Sequence, residues 1–300
     1  MMIWLNNVLN FLALKLLGLF AFLPYSFSIS VGYGLGWLAF HIPNERGKVI
    51  KVNLRLCFPN LNAQEIDALA LEHWQLFGRS VIERSRVWVG TRAQILAFVR
   101  LRCEISIGEM KPKILVNPHF VGLEAGFMAL SALSKQNGWP GGAGLYQKMK
   151  NPFFNQKMVE WRDRFGGKSI ERKSQLRNLI REIKSGNIVI IAPDIDLGPR
   201  DSVFVPFFDI PTSTVTSVSR LAKLGGAEVC LMTTLLNADR TGYECHISKP
   251  IPNFPSDDPV ADTARLNQII EELVRQRPAE YYWIHKRFKH RPLGEPNLYQ

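Results

Sequence analysis

Cysteine is scarce. Cys57, Cys103, Cys230 and Cys245 are the only four in 300 residues, and none forms a C-x-x-C pair. A chain of this length can build a core without disulfide staples, so the thiols read as reduced and facing the cytosol, mostly as core filler. Zinc is disfavoured, because His246 beside Cys245 lacks a second pair at ligand spacing. No G-x-S-x-G is present to mark a serine hydrolase. Gly141, Gly142, Ala143 and Gly144 lack the Gly-Lys-Ser/Thr that would complete a phosphate loop. H-E-x-x-H is absent too, and the tightest carboxylate grouping is Asp194 with Asp196. Beyond residue 45 there is no repeat, flexible linker or low-complexity run.

What is present points to a folded, basic protein. Hydrophobic residues make up 46% and charged residues 21%, which excludes a disordered or collagenous chain. Lys and Arg number 37 against 26 Asp and Glu, a net charge of +11. That excess favours an anionic partner, whether nucleic acid, phosphorylated substrate or acidic membrane surface.

The longest apolar run lies at the N-terminus. Ile3 to Leu23 is interrupted only by Asn6, Asn7, Asn10, Lys15 and small residues. About 20 residues at a 1.5 Å rise just cross a ~30 Å hydrocarbon core. No basic start or small-residue cleavage site marks a removable signal. The run suits a retained bilayer span or, given its asparagines, a helix lying in the interface. Pro24 closes it, and a second apolar stretch runs from Tyr25 to Ile42 with Gly32, Gly34 and Gly36. Their spacing is wrong for a nucleotide fingerprint; small residues there suit close helix packing instead. Arg46, Lys48, Lys51 and Arg55 follow, placing that side in the cytoplasm and offering contacts to anionic headgroups, or simply a solvated helix face. Residues 1–45 are therefore expected to form a membrane anchor and interfacial helix, and 46–300 the working domain.

In the remainder, residues 62–78 carry helical periodicity opening at Asn62. Ile114–Val116, Ile188–Ile191 and Val229–Leu236 read as short buried strands. Between and after them, 122–135, 151–164, 174–185, 213–224 and 260–276 read as helices. The alternation predicts an α/β fold: a mixed, mainly parallel sheet flanked by helices. Ligands in such folds gather at the carboxyl ends of the strands.

One candidate for chemistry survives these exclusions, a histidine with an acid five residues on. About half a match of that kind is expected by chance from this composition, and two occur. His290/Glu295 is broken by Pro292 and lies outside any predicted element. His119/Glu124 follows the strand ILV and opens a helix. On a continuous helix a five-residue separation turns through about 500° and parts the side chains. With His119 in the turn before the helix, Glu124 in the first turn can fold back toward the imidazole, kept ionised by the helix dipole. A carboxylate at one ring nitrogen fixes the tautomer and leaves the other to take a proton from a hydroxyl. A turn histidine that only caps the helix is the competing reading.

Further segments give this pair a context. NPHFVGLE, APDIDLGPRDSVFVPFF and YYWIHKRFKHRPLGEPNLY together resemble the bacterial lipid A biosynthesis acyltransferases, within the lysophospholipid acyltransferase superfamily. NLRLCFPN, YQKMKNP and the apolar N-terminus are similar to that family as well, so the resemblance spans nearly the whole chain.

The resemblance implies a glycerolphosphate-acyltransferase-like fold and transfer of a fatty acyl chain from acyl carrier protein to a hydroxyl of a lipid A precursor. It implies His119 as general base, Glu124 as its orienting partner, and Arg162 as an oxyanion or phosphate ligand. Arg164 and Arg172 would help bind substrate. Asp194 matches a family aspartate whose part is more structural than catalytic. Read from sequence alone, each arginine is more often a solvated charge and Asp194 a strand-end turn former. No metal or nucleotide cofactor is implied, and the expected partners are acyl carrier protein, an anionic lipid acceptor and the inner membrane. The basic, aromatic run from His285 to Arg291 suits acceptor phosphates or a membrane surface better than nucleic acid. Rival readings are an acyltransferase for another lipid, such as a lysophospholipid or amino-acid lipid, and a non-catalytic membrane-surface protein of the same fold.

Overall fold

The computed structural model describes residues 14–109, 111–172 and 176–300. Two runs with almost no polar atoms build its centre. Lys113–Val116 (β2) and Ile188–Ile191 (β5) are buried along their whole length and pair in parallel, Val116 opposite Ile191. Strands covered on both faces must be apolar on both. Accordingly Ile114, Val116, Val189 and Ile191 enter one core, while Leu115, Ile188 and Ile190 enter the other.

Around this pair the sheet has seven strands in the order β1-β9-β8-β2-β5-β3-β4. These are β1 (Val99–Cys103), β3 (Gly142–Tyr146), β4 (Lys168–Glu171), β8 (Glu228–Leu236) and β9 (Tyr243–Pro250). Every pairing is parallel except β8 with β9. The mixed, mainly parallel sheet is as expected. A separate hairpin joins β6 (Ser202–Phe207) to β7 (Ile210–Val215). There the expected helix over 213–224 is corrected: 213–215 complete β7, and the helix starts at Ser217.

Nine helices are named among the described residues: α1 (Tyr25–His41), α2 (Glu45–Cys57), α3 (Ala63–Val89), α4 (Arg92–Phe98), α5 (Leu123–Asn137), α6 (Pro152–Asp163), α7 (Leu176–Lys184), α8 (Ser217–Gly225) and α9 (Pro259–Gln276). Asn62 opens α3 as expected. Its side chain accepts from the Gln64 and Glu65 amides while Glu65 reaches back to the Asn62 amide, a reciprocal cap for the first turn. The glycines of α1 let it lie directly on α3. A Cβ at Gly36 would stand 2.2 Å from the Trp74 carbonyl oxygen and one at Gly32 2.6 Å from Arg79 Cα, whereas Gly34 faces open space. Beneath that contact Glu83 accepts from Arg79 Nε (2.7 Å), Tyr25 (2.7 Å) and Tyr243 (2.5 Å).

The expected single N-terminal span finds no support among the described residues. Residues 3–13 of the proposed Ile3–Leu23 segment lie outside the described residues, and the helical turn at 14–19 gives way before Pro24. α1 has 17 residues, about 25 Å at the helical rise and short of a ~30 Å core. Among the described residues no helix is long and apolar enough to cross a membrane.

Cys57, Cys230 and Cys245 are buried and Cys103 is exposed, all as free thiols.

Candidate active site

Strands β2 and β5 end side by side, and each is followed by a residue, a proline and a polar group: Asn117-Pro118-His119 after Val116, Ala192-Pro193-Asp194 after Ile191. Equal offsets from paired strand ends bring His119 to Asp194. The Asp194 carboxylate holds it at two points, accepting from the His119 main-chain N–H (2.8 Å) and bonding Nδ1 (2.7 Å). Asp194 is 1% exposed, yet 26% of the imidazole stays accessible. Burial raises the Asp194 pKa; the charge and hydrogen bonds of His119 outweigh it and leave the carboxyl below its usual range. An ionised Asp194 accepts from Nδ1–H, which keeps the ring proton on Nδ1 and leaves the Nε2 lone pair as a base.

Late residues complete the shell. Tyr282 donates its amide to the His119 carbonyl oxygen (2.9 Å), and its ring stacks on the imidazole at 5.9 Å. Tyr281 Oη donates to the Asp194 carbonyl oxygen (3.2 Å).

Glu124 stands elsewhere than expected. It lies in the first turn of α5, but its carboxylate accepts from Trp88 Nε1 (2.7 Å), Arg162 Nε (2.8 Å) and Arg162 Nη2 (2.5 Å). No hydrogen bond joins it to His119 among the described residues; Asp194 occupies that place. The reason is competition. A guanidinium offers a carboxylate two parallel charge-assisted bonds, and the half-buried Arg162 supplies both. Burial pushes the Glu124 pKa up, and the Arg162 charge and hydrogen bond bring it below the ordinary range. Burial likewise opposes the Arg162 cation, and Glu124 reverses that. The Trp88 ring, which fixes one carboxylate oxygen, stacks on Trp161 at 5.1 Å.

Arg164 and Arg172 sit apart from this centre. Arg164 donates to the Val87 carbonyl oxygen (2.9 Å) and lies 4.2 Å over the Phe165 ring, tying the end of α6 to α3. Burial lowers its pKa. Arg172 borders a groove of about 260 Å³ with Tyr146, Lys148 and Met149. No hydrogen bond or ion pair joins either one to His119, Glu124 or Asp194 among the described residues.

Two features escape a reading of the sequence. Asp196 repeats the grip of Asp194 on a second histidine: His290 gives its main-chain N–H (2.8 Å) and bonds through Nδ1 (2.7 Å). The Asp196 amide donates to His285 Nε2 (3.0 Å), whose pKa burial lowers, helped by the Arg287 and His119 charges. The His290/Glu295 spacing set aside above thus hides a real partner for His290, but that partner is Asp196, while Glu295 pairs with Arg291. The second feature is the aromatic support from Trp88 and Tyr282, both remote from His119 in sequence. The signal that could have found Asp194 is the shared x-Pro-polar ending after two buried strands.

A histidine held by a buried carboxylate can take a proton from an alcohol, and a guanidinium can steady a developing negative charge. An apolar groove of about 450 Å³ is lined by Leu14, Leu19, Phe22, Val89, Phe153 and Trp161 among others. Comparison with known proteins gives the chain its relatives. The family described as "Bacterial lipid A biosynthesis acyltransferase" matches residues 2–290. The chain is 31% identical over 300 residues to the lipid A biosynthesis lauroyltransferase of Escherichia coli (strain K12), covering 97% of this chain and 94% of that one. Identity is 29% over 302 residues to the lipid A biosynthesis palmitoleoyltransferase of the same strain, with the same shares covered. To the lipid A biosynthesis myristoyltransferase of that strain it is 24% over 284 residues, covering 93% and 86%.

Proposed function

The chain belongs to the bacterial lipid A biosynthesis acyltransferase family and is an acyltransferase, and on that premise we propose that it carries a fatty acyl group from an acyl carrier protein thioester to a hydroxyl of a lipid A precursor. His119 Nε2 takes the hydroxyl proton as the oxygen attacks the thioester carbonyl. Asp194 keeps the other proton on Nδ1 and balances the imidazolium that forms. The carbonyl electron pair moves to oxygen, giving a tetrahedral oxyanion that faces the Arg162 charge. Collapse restores the carbonyl, breaks the C–S bond and releases the thiolate, which recovers its proton from His119. The new bond is an ester, and neither metal nor nucleotide takes part.

The observation that carries this reading is the two-point grip of a buried Asp194 on an accessible His119. The wall of the groove supports an acyl substrate, since Trp161 lines it and stacks on the Trp88 that fixes Glu124. The exposed Leu16, Leu19, Phe22, Phe27, Trp37 and Ile42 support a seat on the cytoplasmic surface of the inner membrane. Apolar side chains concentrated in one stretch of chain suit partial insertion among lipid headgroups.

Purified protein supplied with acyl carrier protein thioesters and phosphorylated glucosamine lipids is expected to yield an acceptor heavier by one acyl chain in mass spectrometry. His119→Ala is expected to lose that transfer. Wild-type-like transfer by His119→Ala would remove the base assignment, and no transfer to any such acceptor by the wild type would remove the substrate.

A further inference from the structure

The face of α3 that runs past the site carries His73, Phe77, Arg84 and Trp88, which fall within about 60° of one another at helical spacing. Its two ends are fixed by contacts already described in part. The Phe77 ring lies 6.0 Å from that of Tyr282, which stacks on His119. Trp88 donates to Glu124. Arg84 therefore stands between the imidazole's aromatic support and the Glu124–Arg162 pair, its guanidinium carbon 5.9 Å from the Trp88 ring. Unlike Arg162, it has no hydrogen bond or ion pair among the described residues. The half-buried side chain leaves this end of the site with two guanidinium groups and a single carboxylate.

We propose that Arg84 is a substrate-binding residue that receives a phosphate group carried by one of the two substrates. A cation held among protein atoms without an acceptor is unfavourable, and an arriving phosphate removes the disadvantage. A guanidinium matches two phosphate oxygens in its own plane, and arginine keeps its charge even when desolvated. Burial pulls the Arg84 pKa down, opposed by the Glu124 charge and helped by that of Arg162. Glu124 has its oxygens taken up by Trp88 and Arg162 and leaves Arg84 free for a ligand. The assignment rests on the acyl-transfer reading for its substrates. Phosphate reaches such a site on the pantetheine arm of the donor or on the sugar of the acceptor.

Calorimetry on the full chain separates these sources: 4′-phosphopantetheine against pantetheine, and glucosamine 1-phosphate against glucosamine. In the wild type the phosphate is expected to tighten one of the two pairs by about tenfold, the scale of one charge-assisted hydrogen bond. In Arg84→Gln that gain should fall below about twofold. A preference within the first pair assigns the phosphate to the donor, and one within the second to the acceptor. No preference in either pair, or a preference that survives in Arg84→Gln, overturns the proposal. Should the Gln variant fail to fold, Arg84→Lys, with the charge but without the planar fork, is expected to keep less than half of the gain; an unchanged gain overturns the proposal. In turnover, Arg84→Gln should raise KM for the phosphate-bearing substrate about tenfold with kcat changed by less than about threefold. The binding measurements need no turnover, so absence of transfer by the wild type counts against the acyl-transfer reading alone.

Discussion

Asp194 holds His119 from two sides of the same carboxylate, one oxygen on the main-chain N–H and the other at Nδ1. The first bond fixes where the histidine backbone sits, and the second fixes which ring nitrogen is left to act. Asp194→Asn should keep the first and reverse the second, because an amide N–H aimed at Nδ1 forces the ring proton onto Nε2. We expect kcat to fall by about 10²–10⁴-fold, with KM nearly unchanged, in steady-state assays of acyl transfer. Activity within a few-fold of wild type would show that the tautomer is set by something else.

Glu124→Gln separates the two acids. Glu124 neutralises Arg162 in a buried pair, and breaking such a pair by removing one charge costs about 3–5 kcal/mol. The variant should unfold at clearly lower denaturant concentration than wild type. The pH dependence of its remaining activity should keep its midpoint, since Asp194 and not Glu124 holds the imidazole. A shifted midpoint with unaltered stability would restore Glu124 as the partner of His119.

His73 supplies a pH dependence of stability. Nδ1 bonds the Ala279 carbonyl oxygen at 3.0 Å, and burial lowers the pKa to about 4 despite that bond. Below the unfolded value near pH 6.5, the unfolded chain takes up a proton that the folded chain refuses. Stability from this group is therefore complete above about pH 6.5 and drains away as the pH falls toward 4. Denaturant titrations across that window should show the decline, and His73→Phe should flatten it. Identical slopes in the two proteins would exclude His73 as the source.

The seam between α1 and α3 has a matched pair of substitutions. Gly36→Ala places a methyl 2.2 Å from the Trp74 carbonyl oxygen, and Gly34→Ala places one in open space. The first should destabilise by about 1–3 kcal/mol through overpacking. The second should stabilise by up to ~1 kcal/mol, the helix propensity gained over glycine. Equal thermal midpoints for the two variants would mean that α1 does not rest on α3 in solution.

The centre of the fold is legible in the sequence because β2 and β5 are buried on both faces, which leaves them as unbroken apolar runs. The two strands at one end of the sheet are not. Gly142–Tyr146 and Lys168–Glu171 are short and carry few β-branched residues, and they are strands because β5 offers β3 a ladder and β3 offers one to β4. In β7, Thr212 to Thr214 look like the polar start of a helix. They are buried because Asn267 and Arg287 donate to Thr214 Oγ1, contacts invisible in linear order. At the site, the position of His119 after a strand is readable. Its partner is not, since spacing along the chain favours Glu124 while the parallel pairing of β2 with β5 brings in Asp194, 75 residues away. Arg162 meets Glu124 only across the space between α5 and α6.

Asp196 clamps His290 while Tyr281 and Tyr282 lie on Asp194 and His119. Synthesis from the N-terminus makes both strand ends long before it makes these late residues. Residues 281–290 thus bring Tyr281, Tyr282 and His290 to strand ends supplied by far earlier parts of the chain. A chain cut short before residue 281 would keep the residues of both strand ends and lose these partners.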